Sequence, residues 1–213
     1  MKNLTLLLAA IFFLISTSNA QEDKKSKEIL DAIGAKTKAY TTIKSDFDFI
    51  MENKVDKTSN KQQGSIILKG DKFRLTIEGL LVISDGKTVW NYIEESDEVQ
   101  ISEPEEDDMV SPSNILTIWE KNFKHKYIKE ETENGVVLQV IDLVPIQGGK
   151  PYFKIRLYID YNKKQLVKAS IHEKEGNVNT YIIKTFVVNE SIADSKFTFN
   201  VKDYPNVDVI DLR

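Results

Sequence analysis

Few residues in this chain could do covalent or acid–base chemistry. There are two histidines, His125 and His172, and no cysteine. Neither histidine has a metal-ligand spacing such as H-x-x-x-H, and both lie on apparent strands among charged neighbours, where a solvated place is expected. Without cysteine there is no thiolate nucleophile and no sulfur ligand for zinc. No G-x-S-x-G elbow, P-loop or G-x-G-x-x-G segment opens a helix. The acidic run Glu103 to Asp108 offers oxygen ligands to a hard cation. It lacks the spaced Asp/Asn ligands and central glycine of a calcium loop, so it reads as a solvated loop. The expectation is a binding protein rather than an enzyme, with no cofactor and no metal.

What the chain has in quantity is apolar side chains at regular spacing. From Ser26 to about Thr37, Ile29, Leu30 and Ile33 form a stripe at helical period, which predicts an amphipathic helix. The period then becomes two. Phe47, Phe49 and Met51 alternate with acidic residues, and Phe73, Leu75 and Ile77 alternate with Lys72, Arg74 and Glu78. Phe153 to Ile159 does the same. Such alternation predicts strands with one face turned inward. Gly70-Asp71, Asp85-Gly86, Asn134-Gly135, Gly148-Gly149, Asn162-Lys163 and Gly176-Asn177 sit between these runs as hairpin turns. In the second half the turns fall 13 to 14 residues apart, room for one strand each and for no crossover segment. The prediction is an antiparallel up-and-down meander of about 11 strands. Ser111-Pro112 is a good helix start, and Ile115, Leu116, Ile118 and Trp119 after it predict a short central helix.

Residues 1–20 read as a cleaved secretory signal peptide: Lys2, then an apolar run from Leu4 to Ile15, then small residues up to Ala20. Twelve apolar residues are fewer than the roughly 20 that span a bilayer. Residues 21–213 are expected to form one domain. The formal net charge of −4 and the lack of any basic block in the sequence exclude a nucleic-acid footprint and predict none for an anionic bilayer.

A sheet of ten or more strands curls, and its concave side must be filled by side chains, a helix or a ligand. Several segments make the choice more specific. Gly64-Ser65-Ile66-Ile67-Leu68-Lys69-Gly70-Asp71-Lys72-Phe73-Arg74-Leu75 resembles the F-R segment of the outer-membrane lipoprotein carrier (LolA) family. Val82-Ile83-Ser84-Asp85-Gly86-Lys87-Thr88-Val89-Trp90-Asn91-Tyr92 is similar to its S-D-G-K-T-hydrophobic-W-x-Y hairpin, and Asp194-Ser195-Lys196-Phe197-Thr198-Phe199 resembles its closing D-x-x-x-F-x-F element. The resemblance covers the whole chain after the leader.

It implies a mainly β fold: an incomplete, open antiparallel β-barrel with two or three short helices lying over the concave opening as a lid. It implies a periplasmic protein of a Gram-negative bacterium, expected to be monomeric, with acylated lipoproteins as cargo. An inner-membrane ABC-type exporter would be the donor and an outer-membrane acceptor the recipient. The expected lipid cavity is lined by Phe47, Phe49, Met51, Phe73, Leu75, Ile77 and Trp90 from strands, with Ile29, Ile33, Ile115, Leu116, Ile118 and Trp119 from helices. Family members carry an arginine that latches the lid through helix carbonyls. Lys69 stands there in this chain, and a flexible ammonium in place of a planar fork predicts a weaker latch. Two alternatives stay open: a sensing or regulatory domain of the same fold, which the lack of a module after Arg213 is expected to disfavour, or a carrier of another amphiphile such as a pigment or polyene lipid.

Overall fold

The computed structural model describes residues 24–104, 118–120 and 122–213. The expected leader, Ile115, Leu116 and most of the expected central helix lie outside them.

Two meanders joined back to back make one sheet. The first runs through β1 (Ile43–Asn53), β2 (Thr58–Lys69), β3 (Lys72–Ile77), β4 (Leu80–Ser84), β5 (Val89–Ile93) and β6 (Glu98–Ser102). The second runs through β7 (Phe123–Glu133), β8 (Val136–Pro145), β9 (Tyr152–Asp160), β10 (Gln165–Glu173) and β11 (Asn177–Ile183). β11 returns to pair antiparallel with β1, placing Tyr181 opposite Phe49. Two short strands complete the sheet. β12 (Val187–Val188) continues the pairing on β1, and β13 (Asp208–Asp211) lies parallel to β6. The strand order β13-β6-β5-β4-β3-β2-β1-β11-β10-β9-β8-β7 does not return on itself, so the barrel is open between β7 and β13. All six turns expected from Gly, Asn and Asp fall between consecutive strands. The described residues form 13 strands rather than about 11, because β12 and β13, of two and four residues, are too short to show alternation.

Among the described residues one α-helix, α1 (residues 24–38), carries Ile29, Leu30 and Ile33 against one face of the sheet, called here the inner face. Beneath it Leu143, Ile155 and Leu157 are fully buried. The expected central helix contributes only a 3₁₀ turn to the described residues, η1 (Ile118–Glu120), whose Ile118 and Trp119 are buried in the same core. η1 packs flush on α1 at Gly34, where a Cβ would lie 2.8 Å from Glu120 Oε1 and 3.6 Å from Trp119 Nε1. Lys38 donates to Glu120 at 2.6 Å, an exposed pair that adds little beyond position.

A second, smaller core lies on the outer face. Leu81, Ile83 and Val99 are covered there by Phe199, with Trp90, Tyr92, Tyr204 and Val207 around it. The aromatic rings interlock, Phe199 and Tyr204 stacking at 4.6 Å between centroids. The C-terminal segment thus covers the outer face of the first meander while α1 covers the inner face of the second.

Gly64 shows how tightly the inner face is packed. It stands directly opposite Phe47, and a Cβ on it would fall 2.4 Å from the Phe47 ring. The ring lies over the glycine and shields its backbone. Gly64→Ala is expected to destabilise the fold by about 1–3 kcal/mol through overpacking. A urea midpoint lowered at unchanged slope would establish this; an unchanged midpoint would mean that the ring simply swings aside.

Candidate functional site

Strand parity decides which residues share the inner face. On β1 the odd positions point inward, and cross-strand pairing carries that parity along the sheet: Ile66 faces Leu75, and Leu75 faces Val82. These three, with Ile77, Phe49 and Met51, are only half-buried, whereas the inner face of β8–β10 is sealed by α1. The first meander therefore holds an apolar floor that the protein's own core does not fully cover. Tyr181 bridges the two halves, its ring stacked on Phe49 at 4.7 Å and tilted against Phe47 at 5.8 Å. Burial and the nearby Glu173 carboxylate raise its phenol above the ordinary value, so it stays neutral.

Phe49, Met51, Leu75 and Ile77 thus stand together on this face. Phe47 and Phe73 lie on it too but are buried, as are Ile29, Ile33, Ile118 and Trp119. Ile115 and Leu116 lie outside the described residues. Trp90 requires correction. It pairs with Ile83, whose side chain is in the outer core, so the indole lies on the face away from α1. Lys69 is corrected for the same reason. It follows Leu68, which points inward, so Lys69 points outward and cannot latch α1. Its ammonium instead donates to the Ile192 carbonyl at 2.8 Å and to Asp194 at 2.7 Å. Ile66, Val82, Tyr181 and Ile183, which pack at the edge of the inner core, were missed from the sequence. Each stands in a consecutive apolar run, Ile66-Ile67-Leu68, Leu80 to Ile83 or Tyr181-Ile182-Ile183, where alternation gives no signal.

The Lys69–Asp194 contact ties the C-terminal segment to the β2–β3 turn, and Lys72 joins it at 3.0 Å. Hydrogen bonds from Lys69 and then Lys72 hold the Asp194 carboxyl at about 2, below its ordinary 3.8. A carboxyl depressed by folding adds stability above its unfolded value and loses it as pH falls through its folded value. Between about pH 5 and about pH 2 the stability advantage of the parent chain over Asp194→Asn is therefore expected to shrink towards nothing. Denaturant midpoints of both chains across that range check it; a constant difference would remove the carboxylate from the explanation.

Among the described residues the histidines and the buried charges sit in structural contacts. Ser26 Oγ and His125 Nδ1 lie 2.7 Å apart, but Ser26, on α1, is fully buried and out of reach of a substrate. This also corrects the solvated place expected for His125, which points inward and ties the start of α1 to β7. His172 is likewise half-buried, on the outer face. Burial first, then the positive charges of Lys154, Lys54 and Arg156, lower its pKa below the ordinary value and favour the neutral ring. Among the described residues no cluster of His, Asp and Glu could hold a metal ion. The outer face carries compensated charge: Arg156 grips Asp142 through two bonds at 2.6 and 2.8 Å, and Asp48 receives Lys61 and Lys184 at 3.0 and 3.1 Å. A half-covered apolar face is the kind of surface that binds a greasy ligand.

Comparison with known proteins agrees with that chemistry. The family model for the outer membrane lipoprotein carrier protein LolA matches residues 38–200. The outer-membrane lipoprotein carrier protein of Haemophilus influenzae is 28% identical over 214 residues, covering 98% of each chain. An uncharacterized protein of Methanocaldococcus jannaschii is 25% identical over 198 residues, 91% of this chain but 55% of that protein, so the chain spans about half of that relative. The crystal structure of an uncharacterized conserved protein from Thermus thermophilus shares the fold with a TM-score of 0.59 at 13% identity, over 88% of this chain and 99% of the other.

Proposed function

Because the chain belongs to the outer membrane lipoprotein carrier (LolA) family, we propose that it is a periplasmic carrier that shelters the acyl chains of lipoproteins on its inner face and shuttles them from the inner to the outer membrane. The observation that carries this reading is the half-buried apolar floor of Phe49, Met51, Ile66, Leu75, Ile77 and Val82, left open beside a core that is otherwise sealed.

Energetics favour an open floor over a closed cavity. Burying one acyl methylene is worth about 0.8 kcal/mol, so full enclosure of a sixteen-carbon chain approaches about 12 kcal/mol. A protein that enclosed several such chains could not release them. A carrier must hold its cargo incompletely, and half-covered strands beside one packed helix meet that need. An ABC-type exporter as donor and an outer-membrane acceptor as recipient complete the proposal. A membrane-spanning role has no helical support, since no helix among the described residues is long and apolar enough to cross a bilayer.

Intact-mass analysis of material that co-purifies with the tagged, exported protein tests the reading. Acylated lipoproteins in the eluate are the expected result. Free lipid or another amphiphile would keep the carrier and replace its cargo. An empty protein that also fails to take up a fluorescent acyl probe would overturn the proposal. The same measurement gives the mature N-terminus and so tests cleavage after Ala20.

A further inference from the structure

Three hairpin tips, distant in sequence, meet at one end of the sheet. The β1–β2 turn is tied to the β10–β11 turn by the Lys54 amide donating to the Gly176 carbonyl at 3.2 Å. The β10–β11 turn is tied in turn to the β8–β9 loop by the Lys174 amide donating to the Pro151 carbonyl at 2.9 Å. Val55 also rests on Gly176, its Cγ2 3.0 Å from where a Cβ would stand.

This joined edge carries the most exposed apolar side chain among the described residues, Val55 at 73%, together with Ile146 at 58% and Phe153 at 50%. Strand ends with nothing to cover them ordinarily present polar groups, so three large apolar residues on adjoining tips ask for a partner. The tips also bring together Lys54, Lys57, Lys150 and Lys174, against Asp56 and Glu175. In a chain of net charge −4 this is a local excess of positive charge. The other two tips of the first meander at this end are the reverse, carrying Glu78, Glu94, Glu95 and Asp97.

We propose that the three tips form a docking rim for the surface of an anionic phospholipid bilayer, with Val55, Ile146 and Phe153 entering the interface and the lysines engaging lipid headgroup phosphates. The chemistry matches the partner on both counts. Shallow apolar insertion alone gives weak binding, and a few lysines alone give weak binding. Together they give contact that is reversible and sensitive to lipid charge. Lysine stems can lie along the apolar boundary while their ammonium groups reach phosphate. The rim borders the open floor: Met51 stands two residues before the end of β1 at Asn53. No basic block in the sequence announces it, because its parts come from turns as far apart as Lys54 and Lys174.

The test is co-sedimentation of the exported, processed chain with vesicles of phosphatidylcholine alone and of phosphatidylcholine mixed with phosphatidylglycerol. Binding to the mixed vesicles only, weakened by high salt, is expected. The double substitution Ile146→Ser with Val55→Ser is expected to reduce it about tenfold, and so is Lys54→Glu with Lys57→Glu. Lys87→Glu, on the β4–β5 turn at the opposite end of the sheet, leaves binding unchanged. All three variants alter exposed side chains, and thermal melts establish that they remain folded. Absence of sedimentation with either vesicle, equal sedimentation with both, or full retention by the two rim variants would overturn the proposal. Acyl-probe uptake by the same variants is expected to match the parent, which keeps failure of the rim distinct from failure of the carrier reading.

Discussion

Replacing Leu75 by glutamate is expected to abolish uptake of an acyl probe while leaving the protein folded. Leu75 stands on the inner face between Ile66 and Val82, half-buried at the edge of the core. A carboxylate there keeps its contact with water in the empty protein, so the fold tolerates it. An acyl chain laid across the floor would strip that water from an unpaired charge, and the penalty exceeds what a few methylenes return. Affinity is expected to fall at least about tenfold, with the unfolding midpoint nearly unchanged. Thr76→Glu is the matched control, one residue along β3, exposed, and turned to the other face. Equal losses from the two substitutions would mean that charge alone matters, and the inner face would lose its role. Phe73→Glu is a poorer test, because Phe73 is buried in the core and an ion there would unfold the chain before its binding could be read.

The largest effect on stability is expected from Leu157→Ala, a loss of about 2–5 kcal/mol. Leu157 is fully buried at the centre of the inner core, with Ile141 opposite it on β8 and Ala169 opposite it on β10. Its strand is pinned on both sides by those ladders, so the backbone cannot sink into the space left by the missing atoms. Urea unfolding measures the difference. Leu212→Ala, with its side chain 62% exposed, should sit near the parent value. A loss from Leu157→Ala below about 1 kcal/mol would show that α1 resettles into the gap, and that the lid is looser than its packing suggests.

Much of this protein could be read without its fold. The spacing of Ile29, Leu30 and Ile33 located α1 to within one residue of its observed end. Gly, Asn and Asp located six turns, because those residues accept most readily the backbone such turns demand; Asn134, Gly135 and Gly176 do have positive φ. The turn spacing required antiparallel neighbours, and the two meanders have them. Alternation grouped Phe49 with Met51 in β1 and Leu75 with Ile77 in β3, and pairing through β2 places both groups on one face.

Alternation also marks the limit of that reading. It says which residues of a strand lie together, but not which side of the sheet a helix will cover. Trp90 and Lys69 show the consequence. Both sit in motifs associated with the cavity, and both lie on the outer face, Trp90 beneath the C-terminal aromatics and Lys69 bound to Asp194. Nothing local to β2 or β5 separates the two faces, since each carries apolar side chains. The decision is made by segments remote in sequence: α1, which seals the inner face of β8–β10, and residues 199–207, which seal the outer face of β4–β6. The joining of β11 to β1 is remote as well, and it brings Tyr181 onto Phe49 and three hairpin tips onto one edge. Local sequence determined the elements and their internal periodicity, because turn chemistry and side-chain period act over a few residues. Which face stayed partly open, and which turns became neighbours, was left to contacts between segments remote in sequence.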